Sequence, residues 1–199
     1  EDFYNRTKSK IYCYDHTVNW KFFLKLFLGN PKTILKFFQY KKFFDEKDKF
    51  HIRKMICPTE SYGPSLNENS LADLNSIIKD TTDKKFFLKI DIEGHEYRIL
   101  DQIRKYSSSI NGLAIEFHNC DLHSEKIKNF INNFELQLVH IHVNNWALIN
   151  SNNFPRVFEL IFSPKDFNKK IINDDKKFPT SMDEPNNPLY EDLPIEFND

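Results

Sequence analysis

A nearly uninterrupted apolar run, FFLKI at residues 86–90, breaks into the acidic turn Asp91-Ile92-Glu93-Gly94 and then into a helical pattern, HEYRIL. A run of that length reads as a buried strand of the kind found in parallel sheets. Strand, tight turn and helix in immediate succession are the repeating unit of an open α/β sheet, in which ligands bind beyond the carboxyl ends of the strands. Asp91 and Glu93 therefore stand where a functional site is expected. Gly94 lets the backbone pass close to a ligand or take a positive φ. The plainer alternative is that the two carboxylates cap the helix that follows, where its positive end favours them.

The rest of the chain supports this unit. KIYCY at 10–14 reads as a buried strand ending at Asp15, and FHIRKMI at 50–56 as an alternating strand. Residues 20–28 and 33–44 are Phe- and Leu-rich with lysines at helical spacing, and Gly29-Asn30-Pro31 separates them. Residues 57–69 form a loop. SLADLNSII at 70–78 starts like a capped helix, with Ser70 as cap and Asp73 three residues on. A helix is expected over 95–106, then a turn at Asn111-Gly112, the buried strand LAIEF at 113–117 and a helix over 124–134. QLVHIHV at 137–143 and VFELIF at 157–162 read as two closing strands joined by a loop. The pattern predicts an open α/β sheet, mostly parallel with an antiparallel last strand. Residues 1–163 would form one domain and 164–199 an extended tail packed on it.

With 199 residues and a net charge of −1, the chain gives no polyelectrolyte reason to expect nucleic acid or a membrane surface as partner. No apolar run approaches the roughly 20 residues needed to span a bilayer. Cys13, Cys57 and Cys120 are widely spaced and odd in number, which argues against a disulfide framework or zinc site and for a reducing, cytoplasmic setting. The twenty Phe and four Gly carry little functional weight.

Candidate residues follow the strand ends. Asp15 either binds a ribose or caps the next helix. His118 follows LAIEF, two residues after Glu116. His140 and His142 alternate along one strand and share a face. His142, at the strand end beside Asn144-Asn145, is a candidate general base, because an imidazole with a pKa of about 6.5 can deprotonate a hydroxyl at neutral pH. No metal site is assigned; a divalent ion held by Asp91, Glu93 and a histidine is the lesser alternative. Trp146, Phe154 and Tyr62 are loop aromatics able to stack on a sugar ring.

KKFFLKIDIEGHEYRIL resembles the stretch lKiDvEGxEwxvL of FkbM-type, methyltransferase-like enzymes dependent on S-adenosylmethionine. INGLAIEFHNCDLH, LVHIHVNNW, FELIF and the proline-rich MDEPNNP resemble the segments that follow in that family, and IYCYDHT resembles its ribose-binding strand. The resemblance implies an open Rossmann-like class I methyltransferase sheet with S-adenosylmethionine as cofactor and a small-molecule acceptor as partner. It implies cofactor contacts from Asp15, Thr17, Asp91 and Glu93, and catalytic roles for Asp91, His118 and His142. Family members carry a first strand and a glycine-rich loop before the Asp15-type strand. Here the four glycines are isolated, so that first strand is apparently missing, the chain reads as a fragment and weak cofactor binding is expected. The first expectation is methylation of a hydroxyl on a sugar or small metabolite. The second is a non-catalytic binding or assembly module that has lost the cofactor loop. The reading frame upstream of Glu1 discriminates between them. A dehydrogenase is disfavoured, since no GxGxxG is present.

Overall fold

The computed structural model describes residues 2–61, 68–81, 85–147, 149–150, 154–165, 177–181 and 183–196. Tyr62 and parts of the two loops at 57–69 and 144–154 lie outside the described residues. The fold is mixed α/β, and its contacts gather into two compact units, Glu1–Ser76 and Ile77–Asp199.

In the first unit, helix α1 (Asp2–Thr7) precedes strand β1 (Ile11–Tyr14), helices α2 (Trp20–Gly29) and α3 (Ile34–Phe44), and strand β2 (Lys49–Ile52). β1 and β2 pair in parallel, Ile11 opposite Lys49. The Lys49 ammonium is buried between the Tyr4 and Phe43 rings, 4.0 and 4.1 Å from their centroids, and pairs with Glu46 at 2.6 Å. Asn19 starts α2 by accepting the amides of Lys21 and Phe22. The strand expected over 50–56 is broken in two. β3 (Met55–Ile56) leaves β2 after a Lys54-to-Ile52 backbone bond and pairs in parallel with β4 (Leu71–Ala72). Helix α4 (Leu74–Asp80) is capped by Asp73, not Ser70: Asp73 Oδ1 accepts the Asn75 and Ser76 amides, and its Oδ2 accepts Thr59 N and Oγ1.

The second unit holds β5 (Phe86–Ile90), α5 (Leu100–Lys105), β6 (Ile110–His118), α6 (Cys120–Asn133), β7 (Gln137–Val143), β8 (Val157–Ser163) and the short pair β9 (Lys177–Phe178) and β10 (Ile195–Glu196). The main sheet has the order β5-β6-β8-β7. β5 and β6 are parallel, and β8 runs antiparallel to both β6 and β7. Three of the four strands thus share one direction, and the last strand in sequence is the reversed one, as the pattern predicts.

Two expectations change in detail. β5 ends the strand order of this sheet, and Phe87 and Lys89, alternating along it, are exposed, so the strand is not covered on both faces. Asn111-Gly112 is no turn; both residues lie inside β6, where a Cβ on Gly112 would stand 2.8 Å from the Phe87 ring. The core gathers under β6 and β8, where Leu113, Ile115, Phe117, Leu160 and Phe162 are buried, as are Ile103 of α5 and Phe130 of α6. Phe130 meets the Phe162 ring edge-on at 5.7 Å.

Candidate functional site

The helix expected directly after the acidic turn starts late. Glu93 (φ 56) and Gly94 (φ 95) both take left-handed backbone, followed by a 3-10 turn at Glu96–Arg98 and only then α5. Glu96 holds the turn. Its Oε1 accepts the amides of Ile92 and Gly94, both at 3.1 Å, while its side chain is fully buried. Asp91 and Glu93 are exposed beyond the end of β5, and neither the 3-10 turn nor α5 carries a side-chain cap hydrogen bond.

The same Glu96 oxygen receives a third donor, His118 Nδ1 at 3.1 Å. An ionised carboxylate only accepts, so Nδ1 carries the proton and Nε2 is the nitrogen turned toward other groups. Nε2 lies 3.5 Å from Glu93 Oε2 and 3.8 Å from Glu116 Oε1. His118 and Glu116 share a face of β6 because they are two residues apart on a strand. Tyr97 Oη donates to the His118 carbonyl at 2.6 Å and fixes the strand end. Asn119 follows in left-handed backbone (φ 52) and opens α6.

Burial pushes Glu96 up, but the His118 hydrogen bond and the backbone donors outweigh it, and its carboxyl titrates below the usual 4.5. The Glu96 hydrogen bond raises His118 above 6.5 against the opposing effect of burial. Glu116 is raised above 4.5, chiefly by burial, with Asp91 and Glu159 adding repulsion. Burial pushes the Cys120 thiol up to about 12, and its Sγ donates to the Phe117 carbonyl; it is no nucleophile.

Three of the residues singled out in the sequence meet here. One ligand atom each from Asp91, Glu93 and His118 lie within 4.8 Å of one another, a spacing that can hold a divalent ion. Beside them an open recess of about 260 Å³ is lined by Glu93, His118, Asn119, Ala147, Arg156 and Val157. Arg156 donates to Asn119 Oδ1 at 3.3 Å. Glu96 and Arg156 were not among the sequence candidates, whereas Asn119 closes the polar stretch Glu116–Asn119 that follows LAIEF. Glu96 sits in a helical-looking segment, and Arg156 lies just before β8, so only their contacts with His118 and Asn119 identify them.

His142 is placed differently. It is 6% exposed, its Nε2 contacts Asp192 Oδ1 at 3.0 Å and its Nδ1 faces Glu159 Oε2 at 3.8 Å. His140, two residues earlier, pairs with Asp183 at 2.8 Å. Both histidines hold the C-terminal segment against β7. Asn145 holds the same segment, accepting the Asn187 amide and donating to the carbonyls of Asn187, Tyr190 and Glu191. The strand register carries a polar row from Glu116 on β6 through Glu159 on β8 to His142 on β7.

Asp15 and Thr17 belong to the first unit. Asp15 Oδ1 accepts Thr17 N and Thr17 Oγ1, both at 2.7 Å, and Val18 N at 3.3 Å. These bonds outweigh burial and lower its carboxyl below 3.8. Thr17 is thus a partner of Asp15. Behind them Tyr40 Oη donates to His51 Nδ1, and His51 Nε2 donates to the Asp15 carbonyl at 3.0 Å.

Set against known proteins, the chain matches no family model, no curated protein and no solved structure. Its function is therefore argued from these residues.

Proposed function

We propose that this chain serves methyl transfer from S-adenosylmethionine to an oxygen, a hydroxyl of a sugar or other small metabolite, with His118 as the proton acceptor. The observation that carries the reading is the Glu96–His118 pair at the carboxyl end of two adjacent parallel strands. Glu96 fixes the tautomer and aims Nε2 into a group of carboxylates beside an open recess. When bound, S-adenosylmethionine supplies an electrophilic methyl group on a positively charged sulfur. Asp91, Glu93, Glu116 and Glu159 make one end of the sheet acidic, which suits a cationic group. Arg156, which also lines the recess, suits an electronegative part of the acceptor. His118 Nε2 takes the acceptor's proton, and the raised His118 value makes it a stronger base than a free imidazole.

The test is transfer of labelled methyl from S-adenosylmethionine to a panel of hydroxylated metabolites, using the chain in its natural reading frame. His118→Gln is expected to lower kcat by about 10²- to 10⁴-fold with little change in cofactor binding. An unchanged rate overturns the role of His118; no transfer by the folded wild-type chain favours the non-catalytic binding module.

The convergence of Asp91, Glu93 and His118 favours a second reading, in which a divalent ion binds the three and lowers the acceptor's pKa. Glu96 on Nδ1 would then orient a metal-ligating imidazole. Activity lost with a chelator and restored by Mn²⁺ selects this reading; chelator-insensitive activity selects the first.

A further inference from the structure

Residues 16–44 contain six lysines and no aspartate, glutamate or arginine, although the chain as a whole carries a net charge of −1. They fold into the α2–α3 hairpin. The helices meet along an inner seam, where the Phe23 ring lies 5.2 Å from Phe37 and 5.0 Å from Tyr40. Neither helix buries a side chain completely. Trp20 (63%), Leu28 (76%), Leu35 (64%) and Phe38 (58%) are largely exposed, and Leu24, Phe27, Ile34 and, on the other side of α2, Phe22 are exposed as well.

The arrangement is ordered. Trp20, Leu24, Phe27 and Leu28 fall at i, i+4, i+7 and i+8, a single stripe along α2. Lys21 and Lys25 follow Trp20 and Leu24 by one position and so flank that stripe, with the Lys21 ammonium 5.9 Å from the Trp20 ring centre. On α3, Leu35 and Phe38 form a shorter apolar patch, with Lys41 and Lys42 one turn further on. Lysine stems lie along apolar surface while their ammonium groups reach for charge.

A second copy of the chain fits this surface poorly, because face-to-face docking would bring two lysine-rich hairpins with no carboxylate of their own together. A plane of anionic headgroups over acyl chains satisfies both halves of the pattern. Among the described residues no helix is long and apolar enough to cross a membrane, so the pattern is one of surface adsorption.

We propose that the α2–α3 hairpin docks on anionic lipid bilayers, its apolar stripe entering the headgroup boundary and its lysines facing the lipid phosphates. The inference is independent of the proposed methyl transfer.

Flotation of the full 199-residue chain tests it, using vesicles of phosphatidylcholine alone or mixed with phosphatidylserine. The chain is expected to float with the mixed vesicles, not with phosphatidylcholine alone, and to be released by molar salt. Lys25→Glu with Lys36→Glu should weaken binding roughly tenfold or more. In a Trp146→Phe background, Trp20 emission should shift to the blue on binding. Leu28→Glu with Leu35→Glu, two exposed positions, should abolish that shift while the far-ultraviolet dichroism stays that of the wild type. The proposal is overturned if the folded wild-type chain does not float with the mixed vesicles, or if the lysine variant floats as well as wild type. It is also overturned if the chain dimerises and shields Trp20 without lipid, or if it binds an RNA oligonucleotide in preference to the vesicles.

Discussion

Glu96 is the residue on which the candidate site turns. One of its oxygens collects two backbone amides of the acidic turn and the ring of His118. The other is buried and has no hydrogen-bond partner among the described residues. Exchanging it for glutamine keeps the shape and removes the charge. His118, raised in the wild type mainly by this partner, should then titrate at lower pH, as read from its ring proton resonances. If His118 is the base, the acidic limb of the methyl-transfer rate profile should move down with it. A purely structural Glu96 would leave that limb in place.

Two predictions belong to the elements. The first concerns the C-terminal segment, which carries little regular structure and is held by side chains from β7 and the loop after it. Asp183 accepts Thr180 N and Oγ1 through Oδ2 and faces His140 through Oδ1; Asp192 faces His142. Removing both carboxylates, by Asp183→Ala with Asp192→Ala, should lower the local opening free energy by about 1–3 kcal/mol and speed hydrogen exchange over residues 183–196. The second concerns the layer between α6 and the sheet. Phe162, fully buried, contacts Phe130 and Phe134 with ring centres 5.7 and 5.3 Å away. Phe162→Ala should cost about 3–5 kcal/mol, visible as a lower urea midpoint.

At the scale of the whole molecule the shifted groups set the pH range of greatest stability. Asp15, Glu96 and Asp183 titrate below their ordinary values. Their stabilisation is present above the unfolded values of 3.8 and 4.5 and is lost as pH falls through the folded ones. His118 is raised, so its stabilisation is complete below 6.5 and lost as pH rises through its folded value. Glu116 is raised too, and its ionisation above 4.5 works against the fold. Urea midpoints across pH should therefore peak between 4.5 and 6.5 and fall on both sides. A midpoint rising steadily to pH 8 would contradict this assignment of charges.

The alternation of strands and helices, the apolar strands at residues 86–90 and 113–117 and the acidic turn between β5 and α5 were legible in the order of residues. They were legible there because burial, helical spacing and turn chemistry are local properties of the chain. The reversed last strand was legible too, since only a loop connects β7 to β8. Placing Gly112 inside a strand instead of a turn required tertiary structure, because its neighbour, Phe87, comes from another strand. So did breaking the strand expected over residues 50–56, because β2 and β3 pair with different partners. Separating His118 from His142 was equally a tertiary decision. In the sequence both are histidines near a strand end; in the fold one gains a buried carboxylate on its far nitrogen, and the other is taken up by the returning tail. The acidic turn was visible from its residues, but Glu96, which holds that turn and orients His118, was picked out by three-dimensional contact alone.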